Sequence, residues 1–454
     1  MKTLPTSTEE LLTAIARHEH RRVKVAVTDL DGVLRGKYLH LDKLRSALDG
    51  GFGFCSVVFG WDAADACYDN ATYTGWHTGY PDAVAQLDLR TYREIPWEDN
   101  TPFLLGDFAD AAGEPLPICP RRTLRRVIGR AADLGYDARF GLEFEWFNFA
   151  ETPATLAEKR YVAPTPLTPG MFGYSVLRAS LHQTYFRDIM ELLADFRVPV
   201  EGLHTETGPG VYEAAILYSD ALEAADRGVL FKTAVKELAY RHGIVASFMA
   251  KWNAQLPGCS GHMHQSLWHD GANVFDDATA ADRMSPTFRH YLAGQLALLP
   301  ELLVLMAPTV NSYKRLVEGM WAPTTATWGV DNRTVALRVI PGGPKSTRLE
   351  TRVSGSDMNA YLGIAAALGA GLWGIEHKLP LDTAAVVGNG YAAKAPRLPR
   401  DLDEATDRFE GSAAARALFG DAFVDHFAQS RRWEWRQFHA AVTDWELRRY
   451  LEII

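Results

Sequence analysis

Two glutamates set two residues apart inside an aromatic run constrain this chain more than any other feature: Phe140-Gly141-Leu142-Glu143-Phe144-Glu145-Trp146-Phe147. Six of the eight residues are apolar or glycine, a composition that suits a buried or half-buried strand. Residues i and i+2 of a strand point to one face, so Glu143 and Glu145 aim two negative charges at one small volume. Like charges held that close are costly unless something positive lies between them. The spacing therefore points to a metal-binding face or, more plainly, to an edge strand with two solvated carboxylates.

The chain has 454 residues, more than one hydrophobic core supports, so two domains are expected, divided as 1–115 and 116–454. A net charge of −9 with no basic run argues against a nucleic-acid partner. No apolar run is long enough to span a membrane, and the polar, acidic Met1 to Glu10 is no signal peptide. The four cysteines are scattered without CxxC spacing, which fits reduced thiols in a cytoplasmic protein.

Ser7 and Glu10 read as a capping box that opens a helix to about His18. Residues 22–30 alternate as a strand, Asp31-Gly32 supplies a hairpin turn and 33–39 returns, followed by a helical 41–48. Residues 51–96, rich in Gly, Asp, Trp and Tyr, read as a long functional loop with short strands. Helices are expected over 121–134, 177–196, 220–243 (opened by an Asp220/Glu223 capping box), 289–306 and 359–379, with strands at 199–204 and 244–250. The mixture is α+β or α/β; element order alone does not fix the sheet.

Carboxylates and histidines recur along the chain. Glu206 and Glu213 bracket Thr207-Gly208-Pro209-Gly210, a turn that can fold both toward one point. His262 and His264 are again two apart, and Glu350 sits between Arg348 and Arg352, one face if this is a strand. Carboxylate oxygens with a single imidazole suit Mg²⁺ or Mn²⁺ better than zinc. Arg315, Arg333, Arg338, Arg348 and Arg352 add planar donors for carboxylate or phosphate. No GxxxxGK[ST] loop is present, which argues against a P-loop site.

Taken in order, TDLDGVLRGK at 28–37, GLEFEW at 141–146, HTETGPGVYE at 204–213, GHMHQSL at 261–267, NSYKRL at 311–316, DNRTVALR at 331–338 and RLETR at 348–352 resemble the glutamine synthetase superfamily over nearly the whole chain. The resemblance implies an α+β fold, with a small β-grasp-like N-terminal domain and a larger catalytic domain. It also implies active sites between neighbouring subunits of a homo-oligomer, commonly a dodecamer of two hexameric rings. The substrates would be L-glutamate and ATP, with two or three Mg²⁺ or Mn²⁺ ions per site. Glu145, Glu206 and Glu213 would hold one metal, and Glu143, His262 and Glu350 a second. ATP would lie against Glu201, His264, Ser266, Arg338 and Lys345. Gly258, Arg315 and Arg352 would bind glutamate, with Arg315 and Arg333 as the catalytic arginines and Arg333 facing the transferred phosphoryl group.

Three positions depart from the ammonia-using pattern. Trp321 stands where the resemblance implies a glutamate at the ammonium site, Pro257 replaces an asparagine that touches glutamate, and Val211 replaces a glutamine. Asp62 is the loosest counterpart of an aspartate that helps bind ammonium. These changes resemble the branch that joins glutamate to a small organic amine: polyamine, ethanolamide or anilide synthetases. Alkylammonium ions have a pKa of roughly 10 and still need a base. If Trp321 removed it, Asp62 or Asp65 replaces it, or the acceptor is a neutral arylamine. Trp61, Tyr68 and Trp76 lie in the same loop and could line an apolar amine pocket. The alternatives are an ordinary ammonia-using glutamine synthetase and a non-catalytic structural relative.

Overall fold

The computed structural model describes residues 5–18, 21–110 and 112–454. Part of the expected non-signal N-terminus, residues 1–4, lies outside them. Strands β1 (Arg22–Thr28), β2 (Leu34–His40), β3 (Phe52–Cys55), β4 (Asp82–Leu87), β5 (Arg93–Ile95) and β6 (Thr101–Ala109) make a sheet ordered β2-β1-β6-β4-β3, with β5 also on β6. β1 and β6 run parallel and the other pairs antiparallel. The turn at Asp31-Gly32 is present but wider than a two-residue hairpin, since pairing closes at Thr28 and Leu34. The Asp29 carboxylate makes the difference, accepting the amides of Asp31 at 3.0 Å and Val33 at 2.9 Å.

The larger sheet holds β7 (Asp137–Phe149), β8 (Val200–Thr205), β9 (Val211–Ile216), β10 (Ser219–Asp220), β11 (Val245–Ser247), β12 (Gly261–His269), β13 (Ala272–Asn273), β14 (Trp328–Val330), β15 (Leu337–Ile340) and β16 (Arg348–Thr351). Its order is β14-β15-β16-β12-β7-β9-β8, with β10 and β11 beside β7 and β13 beside β12. β7 is thus a central strand, paired with β12 on one side and β9 on the other, which sets aside the edge-strand alternative. Leu142, Phe144 and Trp146 bury against a helical layer, and this apolar demand turns Glu143 and Glu145 to the opposite face.

The helical layer centres on Ala360–Glu376, which is buried almost all round and packs on helices Pro120–Asp133, Ala221–Arg241 and Pro286–Leu302. Its crossing with Pro286–Leu302 is close enough that a Cβ at Gly294 would sit 2.2 Å from the Ala370 carbonyl oxygen. The expected helix over 177–196 is two helices, Val176–Leu181 and Gln183–Asp195, because only the second buries an apolar stripe (Tyr185, Ile189, Leu193). The expected strand over 244–250 pairs with β7 only at Val245–Ser247, and the 289–306 helix ends at Leu302 with a single 3₁₀ turn. Both capping boxes are half-made. Ser7 and Asp220 cap their helices, but Glu10 turns to Thr6, and Glu223 pairs with Arg93 and Arg227. No helix among the described residues is long and apolar enough to cross a membrane.

Buried ions join the N-terminal sheet to the rest. Arg121 donates to Asp88, Asp107 and Asp226, each at 2.9 Å, and Tyr361 donates to Asp226 at 2.6 Å. An arginine buried among three carboxylates stays charged, so removing it would strand negative charge in the interior.

Candidate active site

The carboxylates and imidazoles share the face of the large sheet opposite the helices, and strand register sets their neighbours. Glu145 lies directly across from Glu213, and Glu213 across from His204. Glu143 lies across from His262, and Glu350 across from both His264 and Arg338. Two groups of possible metal ligands result, His204 with Glu206 and Glu213, and Glu143 with His264 and Glu350. In the first, His204 Nε2 lies 3.0 Å from Glu213 and Nδ1 lies 3.7 Å from Glu206. Glu145 stands beside this group, accepting the Ser260 amide at 2.7 Å.

In the second group His264 Nε2 lies 3.0 Å from Glu143, and His262 Nδ1 lies 3.9 Å from Glu143 and 3.5 Å from Glu350. The other nitrogen of His262 is buried with no hydrogen-bond partner. Arg338 and Arg352 donate to the two oxygens of Glu350. Arg348 lies on the same face, as expected, and donates to His264 Nδ1 at 3.2 Å and to the Ser346 carbonyl.

Burial pushes the Glu213 carboxyl up, and with Glu143, Glu145 and Glu206 around it the value reaches about 12. Burial also opposes the charge on Glu143, yet hydrogen bonds from His262 and His264 hold it well below the usual carboxylate range. Glu350, buried too, is brought down to about 2 by His262, Arg352, His264 and Arg338. One carboxylate of this crowd must keep its proton unless a cation enters. Oxygen-rich donors, with one imidazole beside Glu206 and Glu213 and two beside Glu143 and Glu350, fit Mg²⁺ or Mn²⁺.

Beside these acids lies a cleft of about 510 Å³. Its walls bring together Glu201, His264, Ser266, Arg338 and Lys345, joined by Arg333. Arg315 is buried and held by neutral acceptors: the carbonyls of Val353 at 2.9 Å and Arg352 at 3.1 Å, and Ser260 Oγ at 2.9 Å. It lies so close to Gly258 that a Cβ there would meet Arg315 Cγ at 2.8 Å and the Ala250 carbonyl oxygen at 2.3 Å. Trp321 is 55% exposed in a turn at φ +60°. Val211 faces away, into an apolar cluster with Phe147, Phe149 and Cys259. Asp62 accepts the amides of Ala64 and Ala66 and Trp433 Nε1, and Asp65 pairs with Arg35. Within one chain Asp62 ties its loop to Trp433 and Asp65 ties it to Arg35 of β2, and Tyr68 is buried beside Trp433.

Sequence reasoning missed His204 and Tyr174. His204 precedes Glu206 by two residues, the same spacing that singled out Glu143 and Glu145, so its signal was present. Tyr174 comes from an aperiodic stretch that gave none. It stacks on His204 with ring centroids 4.4 Å apart. Burial and the charges of Glu206, Glu213 and Glu143 raise its hydroxyl above the ordinary value.

This face carries crowded acids next to a cleft lined with cationic side chains, and the chain resembles known proteins over nearly its whole length. Residues 117–450 match the family model "Glutamine synthetase, catalytic domain". The chain is 54% identical over 438 residues to type-1 glutamine synthetase 2 of Dictyostelium discoideum, covering 95% of this chain and 84% of that one. It is 38% identical over 448 residues to a glutamate–isopropylamine ligase of a Pseudomonas species, covering 97% of each. It is also 38% identical over 453 residues to a γ-glutamylethanolamide synthetase of Streptomyces coelicolor, covering 99% of this chain and 97% of that one. A solved GmaS/ADP complex superposes with a TM-score of 0.85 at 30% identity, over 97% of this chain and 99% of that one. The protein is a carbon–nitrogen ligase. It belongs to the glutamine synthetase family, with kinship to the amine-using branch, and the non-catalytic alternative falls away.

Proposed function

We propose that this ligase joins the γ-carboxylate of L-glutamate to a small organic amine, with ATP cleaved to ADP and phosphate, giving a γ-glutamylamide. The observation that carries the reading is Trp321, an exposed aromatic at the position where the resemblance implies the ammonium-site glutamate. The isopropylamine and ethanolamide relatives support it. A second reading, synthesis of glutamine from ammonia, is favoured by the 54% identity to a type-1 glutamine synthetase.

In this reading Glu145, Glu206 and Glu213 would hold one divalent ion, with His204 beside them, and Glu143, His262 and Glu350 would hold another. Bound there, Mg²⁺ or Mn²⁺ would screen the triphosphate from the glutamate carboxylate and polarise the transferred phosphoryl group. Glu201, His264, Ser266, Arg338 and Lys345 bind ATP in the cleft, and Arg333 reaches toward the γ-phosphate. Arg315 and Arg352, over Gly258, orient glutamate so that its γ-carboxylate attacks phosphorus in line. The amine then displaces phosphate from the γ-glutamyl phosphate through a tetrahedral centre whose negative charge the arginines stabilise. Trp321 forms part of the amine pocket. Asp62 reaches the acceptor only across a subunit boundary, which accords with a ring assembly such as a dodecamer. Residues 1–115 are the β-grasp-like domain and 116–454 the catalytic one, in a cytoplasmic protein.

Phosphate release from ATP with glutamate and Mg²⁺, over a panel of ammonia, methylamine, ethanolamine, isopropylamine, putrescine, spermidine and aniline with products weighed by mass spectrometry, tests the reading. Turnover is expected with an organic amine well above that with ammonia. Best turnover with ammonia overturns it in favour of glutamine synthesis.

A further inference from the structure

Behind Gly258 the chain buries a cation that it leaves without a counter-charge. Lys251 is 4% exposed, and its ammonium nitrogen is buried with no hydrogen-bond partner. Its backbone is not slack. The Asn311 side chain pairs with both the amide and the carbonyl of Lys251, each at 2.8 Å, and the Cys259 amide closes the loop onto the Ala250 carbonyl at 2.9 Å. Burial and the nearby charge of Arg315 both lower the lysine's proton affinity. Among the described residues neither Lys251 nor Arg315 makes an ion pair; the Arg315 partners are two carbonyls and a hydroxyl.

The neighbourhood repeats this pattern. Arg352 Nε and the Tyr391 hydroxyl are buried without partners, and the charges of Arg352 and Arg315 both bear on Tyr391. A buried donor left unmade costs stability, and a buried charge more. Lys251 and Tyr391 share Arg315 as a neighbouring charge, and the described residues supply these donors with no acceptor. The matching ligand is an anion with more than one oxygen, and a carboxylate qualifies. The loop that begins at Lys251 also contains Pro257, which offers neither an amide hydrogen nor a polar side chain at the position where the resemblance implies an asparagine.

We infer that Lys251 is a third cationic group, beside Arg315 and Arg352, that binds the α-carboxylate of the amino-acid substrate, and that it supplies the hydrogen-bond donor that Pro257 cannot. The inference rests on the reading that these two arginines bind glutamate. An interaction of this kind is made equally before and during the reaction, so removing it raises KM rather than lowering kcat. It also selects for substrates that carry an α-carboxylate, against 4-aminobutyrate, which has the same chain without it.

Steady-state kinetics of Lys251→Met, Lys251→Gln and Arg352→Gln, with glutamate and with 4-aminobutyrate, test this. In Lys251→Met the KM for glutamate should rise by roughly 10- to 100-fold with kcat within about twofold and the KM for ATP unchanged. The preference for glutamate over 4-aminobutyrate should narrow by a similar factor. Lys251→Gln, which keeps a donor, should fall between and serves if Lys251→Met does not fold. An unchanged glutamate KM in the lysine variants, with a raised one in Arg352→Gln, overturns the role of Lys251 alone. An unchanged KM in Arg352→Gln as well overturns the glutamate reading of the arginines.

Discussion

Glu145 and Glu213 face each other directly across β7 and β9, and Glu143 stands one same-face position along from Glu145. The proton that this crowding leaves on Glu213 has a thermodynamic consequence. Burial and the neighbouring carboxylates push its carboxyl from the ordinary 4.5 up to about 12 in the folded chain. Between those values the folded state binds more protons than the unfolded one, so stability falls as pH rises, at up to about 1.4 kcal/mol per pH unit. The depressed values of Glu143 and Glu350 act the opposite way, but only below the ordinary carboxylate range. A divalent cation lets Glu213 ionise and removes the penalty. Thermal melts with chelator or Mg²⁺ should therefore show a larger Mg²⁺ shift near about pH 9 than near about pH 6. Glu213→Gln should flatten the chelator series; an equal Mg²⁺ shift at both pH values would count against a cation at this cluster.

Trp321 removes negative charge from the position at which the resemblance implies ammonium binding. Trp321→Glu should restore it and raise the ratio of kcat/KM for ammonia to that for the best organic amine by roughly tenfold or more. The same amine panel reads this out. Unaltered acceptor preference in a folded Trp321→Glu would take Trp321 out of the amine pocket.

His426 gives a pH response far from the acids. It is buried in helix Asp421–Ala440 with Nε2 at 2.8 Å from the Phe59 carbonyl oxygen, joining this helix to the N-terminal part of the chain. Burial lowers its proton affinity from the ordinary 6.5 to about 4. Across that window the unfolded chain takes up a proton that the folded chain refuses, so stability is lost as pH falls, by roughly 3 kcal/mol in all. His426→Asn keeps a donor toward Phe59 and should flatten urea-unfolding free energies between about pH 6.5 and pH 4. A slope equal to wild type would assign the acid response to other groups.

Much of the site was legible before any tertiary structure. The two-residue spacing of Glu143 with Glu145 and of His262 with His264 identified one face of two strands, because alternation in a strand is a local property. The same rule, applied to His204 and Glu206, would have found the histidine that now stands between Glu206 and Glu213. Helix Ala360–Glu376 was also readable, as the helix expected over 359–379, since an apolar run is a local signal.

What the sequence by itself determined is which side chains share a face of their own strand, because alternation along a strand is local. Tertiary structure alone decided which faces meet. The pairing of Glu145 with Glu213, the seating of Glu350 between Arg338 and Arg352, the stacking of Tyr174 on His204 and the capture of Asp62 by Trp433 all join segments that are separate in the chain. Their register follows from burying Leu142, Phe144 and Trp146 under the helices, a collective condition that no local stretch encodes.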